Sequence, residues 1–134
     1  MNVTPNDLVL IRGLPGSGKS TKARGIQAQS DLQVYVFEAD DFFTMSDGRY
    51  IFDSNHLRTA HRVCRERTKL VMRYTNNPVI VANTFTTRSE ITPYRELAET
   101  YRYSVTEIVC TGEFGSIHDV PISAIDRMKN RWED

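Results

Sequence analysis

Cysteine is scarce in this chain. The only two, Cys64 and Cys110, lie far apart and show neither a disulfide framework nor metal-ligand spacing, so a reduced, cytoplasmic protein is expected. Long apolar runs are missing as well. Nothing approaches the roughly 18 consecutive apolar residues of a membrane span, and the N-terminus lacks a basic segment followed by an apolar core, so a membrane partner is not expected. Charge of one sign is not in excess: 17 Lys and Arg balance 17 Asp and Glu. Attraction for phosphates must therefore come from a local patch rather than from the field of the whole protein. Repeats, low-complexity tracts and Gly/Ser linkers are absent too, so residues 1–134 are expected to form a single domain.

What is present alternates between strand and helix signals. Residues 8–11 form a short apolar run suited to a buried parallel strand, residues 34–37 a second, 79–82 a third and 105–109 a fourth. Between the second and third, Leu57, Ala60, Val63, Cys64, Leu70, Val71 and Tyr74 recur at helical spacing behind a cap at Asp53 or Ser54. Thr92 and Pro93 read as N-cap and first helical position of a helix to about Tyr101. Ser123 with Asp126 reads as a capping box for a last helix ending near Trp132. The alternation implies an α/β fold with a parallel sheet of four or five strands covered on both faces.

The first strand runs directly into GLPGSGKST. Gly13, Leu14, Pro15, Gly16, Ser17, Gly18, Lys19 and Ser20 fit G-x-x-x-x-G-K-[ST], with Thr21 next, in the strand-to-helix setting that a phosphate-binding loop requires. Its glycines let successive N–H groups turn inward as a nest for the α- and β-phosphates of a nucleoside triphosphate. Lys19 would reach the β- and γ-phosphates, and the Ser20 hydroxyl would ligate Mg²⁺. Asp40 and Asp41 follow the second strand at the carboxyl edge of the sheet, where a carboxylate can take the proton of an attacking hydroxyl. Either acid could equally form a local Asx turn. Asn83 and Thr84 follow the third strand at the same edge, within reach of phosphate.

Arg58, Arg62, Arg65, Lys69 and Arg73 are spaced by three or four, with Arg67 and His61 nearby and Glu66 the one opposing charge. They form either a track for a polyanion or a solvated outer face whose arginine stems cover apolar surface. Tyr50 and Phe52 could stack on a base or pack in the core.

Taken in order, RGLPGSGKST, ADDFF, GRYIFDSNHLRTAH, VIVANT, EITPYRELA and HDVPISAIDRM resemble the P-loop kinases of the 5′-polynucleotide kinase group, found in phages and as domains of larger eukaryotic proteins. The likeness covers nearly the whole chain. It implies a three-layer α/β/α P-loop fold and Mg-ATP-dependent phosphoryl transfer to a hydroxyl, most simply the 5′ end of DNA or RNA, with Asp40 as general base. Two features depart from the pattern. Ala82 stands where related kinases carry an aspartate, with Phe85 where they often have a polar residue. The connection at residues 111–119 is too short for the lid that supplies an arginine to the transferring phosphates, and no Lys or Arg lies between Arg102 and Arg127. That arginine must come from Arg88, Arg127, Arg131 or a partner, or be missing. A nucleotide-binding docking module, a weak ATPase and a small-metabolite kinase remain alternatives.

Overall fold

The computed structural model describes residues 1–115 and 120–134. Four strands, β1 (Asp7–Arg12), β2 (Tyr35–Phe37), β3 (Val79–Asn83) and β4 (Ser104–Val109), form one parallel sheet in the order β2-β3-β1-β4. Four strands are thus present among the described residues, the lower of the two numbers expected. Leu8 pairs with Val79 and Val105, and Arg12 with Asn83 and Val109, so β1 and β3 sit at the centre. Both read as near-continuous apolar runs because both of their faces are covered.

Side-chain alternation divides the core in two. Val9, Ile11, Ile80 and Ala82 meet Ala23 and Ile26 of α1 (Lys19–Gln29) on one face. Leu8, Leu10, Val79 and Val81 meet α2 (Leu57–Tyr74) and α3 (Arg88–Tyr101) on the other, through Ala60, Cys64, Met72, Ile91, Tyr94 and Ala98. The result is an α/β/α sandwich whose crossovers bring every loop after a strand to one edge. Among the described residues no helix is long and apolar enough to cross a membrane.

Helix boundaries differ from the sequence reading at three places. Asp53 caps a single 3₁₀ turn, its carboxylate accepting from the Asn55 N–H, and α2 follows from Leu57. Helix α3 starts at Arg88 behind Thr87, placing Pro93 inside it rather than at its start. Glu90 draws the start forward by accepting from both the N–H and the hydroxyl of Thr86, at 3.2 and 2.7 Å. The last helix, α4 (Ile122–Arg131), is preceded by Pro121, and the Ser123–Asp126 capping box does not form.

The open edge of β4 carries Glu107, which receives the Arg88 guanidinium at 2.7 and 2.9 Å and a further bond from Arg95. These partners pull the Glu107 carboxyl from 4.5 down to about 2. A carboxyl whose folded pKa lies below its unfolded one adds stability that is full above about pH 4.5 and is lost as pH falls towards 2. Glu107→Gln is therefore expected to lower the denaturation midpoint at neutral pH and to flatten the midpoint's dependence on pH between 4.5 and 2. A wild-type and a variant profile with the same slope in that window would refute the role of this pair.

Candidate nucleotide and phosphoryl-transfer site

The loop between β1 and α1 turns sharply because its glycines allow it. Gly16 and Gly18 have φ of 80° and 95°, in the left-handed region that disfavours a side chain. Gly13 is held by close approach: a Cβ there would fall 2.4 Å from Ser17 Oγ and 2.7 Å from the Cys110 carbonyl. Gly18 is the N-cap of α1, no side chain caps that helix, and its first turn holds no acid. Among the described residues, the leading N–H groups of α1 therefore lack a side-chain cap, and the carboxylate bonded at this helix start is Glu38, held by Ser20. Ser17 Oγ is buried in the loop without a hydrogen-bond partner among the described residues. Lys19 folds back, its Nζ donating to the Leu14 carbonyl at 3.0 Å, and burial lowers its pKa against the opposing pull of Glu38 and Asp40.

Opposite this loop, β2 delivers a cluster of acids on the 3₁₀ turn Ala39–Phe43. Asp40 is exposed, and the Tyr50 hydroxyl donates to its Oδ1 at 3.2 Å. Burial and the neighbouring Asp40 charge raise the Tyr50 pKa, which keeps that phenol a donor. Asp41 braces the turn, its Oδ2 accepting from the Glu38 N–H at 3.0 Å. Glu38, one residue outside the ADDFF stretch, had no role in the sequence reading. Ser20 Oγ donates to its Oε1 at 2.6 Å, and burial raises its carboxyl pKa. The only signal for it in the sequence is an acid directly after the second strand.

Asn83 lies at this edge but faces inward. Its Oδ1 accepts from the Ala39 N–H at 2.8 Å, and its Nδ2 points to Cys64 Sγ, so it pins the acidic turn to the sheet rather than reaching outward. Thr84 is half-buried and its carbonyl receives the Gly13 N–H, tying β3 to the phosphate loop. Ala82 points into the α1 core at 1% exposure, so no side chain from that position reaches the edge.

A family model described as an AAA domain matches residues 8–113, which take in the phosphate loop, the acidic turn and all four strands. The chain belongs to this family, whose members are P-loop kinases. Over 98 residues this AAA domain is 39% identical to NEDD4-binding protein 2 of Homo sapiens, a match spanning 73% of the chain and 5% of that protein. The chain thus corresponds to a small part of that relative's length. Among solved structures it resembles a chain of the Pnkp1/Rnl/Hen1 complex (TM-score 0.63, 21% identity, 94% of this chain and 40% of that one). It also resembles a gluconokinase from Sinorhizobium meliloti 1021 (TM-score 0.65, 20% identity, 98% and 78%). At these identities the likeness establishes an α/β P-loop kinase-like fold.

The AAA domain disperses the candidate arginines. Arg88 is committed to Glu107, and its backbone N–H donates to Glu133 Oε1 at 2.7 Å. Arg131 donates to Thr86 Oγ1 at 3.0 Å. Arg127 is exposed on α4. Residues 116–119 of the short connection lie outside the described residues, and residues 111–115 form no helix or strand. Along α2, Arg58, Arg62, Arg67 and Arg73 are exposed and Arg65 and Lys69 half-buried. None of the six enters an ion pair among the described residues. Helix α2 starts beside the acidic turn, where His56 stacks on Phe42 at 6.4 Å.

Proposed function

We propose that the protein transfers the γ-phosphoryl group of ATP to a hydroxyl, and that the acceptor is the 5′ end of DNA or RNA. The observation that carries the transfer is the pairing of an uncapped α1 N-terminus with an exposed Asp40 across one sheet edge. The loop fits a triphosphate: its Ser17 hydroxyl, unpartnered among the described residues, its uncapped N–H groups and Lys19 are the donors that phosphate oxygens would satisfy. Ser20, with Glu38 behind it, would hold Mg²⁺, which when bound neutralises developing charge on the phosphates. Asp40 then accepts the proton of the attacking hydroxyl as its oxygen bonds to the γ-phosphorus. The β–γ bridging oxygen leaves with its electron pair on ADP.

The unpaired basic face of α2 favours a polyanionic acceptor. It begins at the acidic turn and extends about 27 Å, at 1.5 Å per residue over 18 residues. Replacing Arg62, Arg65 and Lys69 together by glutamine is expected to weaken binding of a single-stranded oligonucleotide. It should also flatten the log-affinity against log-salt slope by about 0.7 per lost phosphate contact. An unchanged slope would return this face to solvent and turn attention to small acceptors. A labelled-ATP screen over oligonucleotides, nucleosides and sugars, run on the same proteins, identifies the acceptor directly. The commitment of Arg88 and Arg131 to Glu107 and Thr86 supports a second reading, a nucleotide-binding docking module without transfer.

A further inference from the structure

We propose that Glu38, at the exit of β2, is the acid of a divalent-cation site that it forms with Ser20, taking the place that β3 leaves without a carboxylate. The inference rests on the reading of residues 13–20 as a nucleotide-binding loop.

Each strand that ends at this edge can be asked what oxygen it offers a hard cation. Strand β1 ends in Arg12, and β4 in Val109, followed by Cys110. Strand β3 ends in Ala82, buried in the core, and Asn83, whose amide oxygen is occupied by the Ala39 N–H. Among the described residues, the loop after β4 brings one acid, Glu113, whose neighbour Phe114 donates its N–H to the Gly16 carbonyl, and the exit of β2 brings three. Of its three acids, Asp41 is bonded to the Glu38 backbone and Asp40 faces Tyr50. Glu38 is hydrogen-bonded to a side chain of the phosphate loop, through the 2.6 Å bond from Ser20 Oγ.

The direction of that bond matters. A serine hydroxyl has one proton and two lone pairs. With the proton given to Glu38, the lone pairs remain for a cation, which an oxygen-seeking ion such as Mg²⁺ requires. The carboxylate is also held in place from both sides. The Glu38 N–H is anchored on Asp41 and the next N–H, of Ala39, on Asn83, so the acid is oriented before any ligand arrives. Among the described residues no three His, Cys, Asp or Glu side chains cluster as a metal cage. A cation here would thus take its remaining oxygens from triphosphate and water, the usual habit of Mg²⁺. Tight cation binding should therefore require the nucleotide, whereas nucleotide binding should not require the cation. Glu38 is a positioning residue in this arrangement, acting through Ser20 and through its charge.

The test is Mn²⁺ binding followed by the loss of the free-ion EPR signal, with a non-hydrolysable ATP analogue at saturation. Glu38→Gln keeps an acceptor for Ser20 and removes the charge. Its complex should bind Mn²⁺ about 10- to 100-fold more weakly than wild type, the range found when a metal's supporting carboxylate is lost. Binding of the analogue in EDTA should stay within about twofold. Glu38→Asp, which keeps the charge on a shorter stem, should fall between the two, and it carries the test if the glutamine variant does not fold. Mn²⁺ affinity within twofold of wild type in a folded variant overturns the role of Glu38. Failure of wild type to bind the analogue, with or without Mn²⁺, overturns the nucleotide reading itself.

Discussion

Asp40→Asn is expected to lower phosphoryl transfer about 10²- to 10⁴-fold, the contribution typical of a positioned general base, with ATP affinity close to wild type. Asparagine keeps the size and turn-forming capacity of the side chain but cannot accept a proton. On the proposed reading the nucleotide contacts reside in the loop at residues 13–20, and the fold of the acidic turn depends on Asp41 and Asn83. Binding and chemistry should therefore separate. Tyr50, whose hydroxyl points at Asp40, gives an internal check: Tyr50→Phe removes one hydrogen bond to the carboxylate and should cost far less than Asp40→Asn. The assay is single-turnover transfer from labelled ATP to an oligonucleotide 5′ hydroxyl, with calorimetry for ATP binding. If both wild type and Asp40→Asn bind ATP and neither transfers phosphate to any acceptor on a broad panel, the kinase reading fails and the docking module stands.

The second large effect is on stability. Arg12 is 2% exposed, yet among the described residues no carboxylate is a hydrogen-bond partner of it. Its Nε and Nη2 donate to the Phe85 carbonyl at 3.0 and 2.7 Å, Nη2 also donates to the Glu133 carbonyl, and the guanidinium lies 4.2 Å from the centre of the Trp132 ring. Burial lowers the Arg12 pKa, with the nearby Arg88 charge adding to the effect. Phe85 adopts φ of 48°, a left-handed conformation that is strained for a residue with a side chain, and its carbonyl is held by Arg12. Arg12 thus fastens the loop after β3 and the C-terminal segment to the central strand. Arg12→Ala would orphan two buried or half-buried carbonyls and leave a void, with an expected loss of about 3 kcal/mol. That is a large share of the roughly 5–15 kcal/mol that holds a domain together. Trp132 is the only tryptophan, so its emission should shift to the red as the C-terminal segment loosens. Arg12→Lys should rescue part of the loss, because an ammonium cannot reproduce the fork. An unchanged denaturation midpoint and an unchanged emission maximum in Arg12→Ala would show that the clamp contributes nothing.

The strand-loop-helix unit at the start of the chain was legible in the residues themselves, because a buried strand, a glycine-rich turn and a helix start are local matters of side-chain pattern and backbone freedom. The same holds for the four strands and for the existence of α2, although of its apolar pattern Ala60, Cys64 and Val71 are buried while Leu57, Leu70 and Tyr74 are exposed. Pro93 misled because its preference for a first helical turn was weighed without Glu90, whose bonds to Thr86 set the start of α3 several residues earlier. Nothing in the residues themselves singles out Arg12 or Glu107 in a chain of balanced composition. Only the order β2-β3-β1-β4 puts Arg12 in the centre of the sheet and Glu107 beside α3. Glu38 was passed over for the paired aspartates after it, since nothing in the sequence says that its side chain meets Ser20, 18 positions away. Local sequence determined which elements form and where the glycine-rich turn falls between β1 and α1. Which charges face one another across the sheet edge was decided by tertiary structure, because pairings between residues distant in sequence exist only once the strands have taken their order.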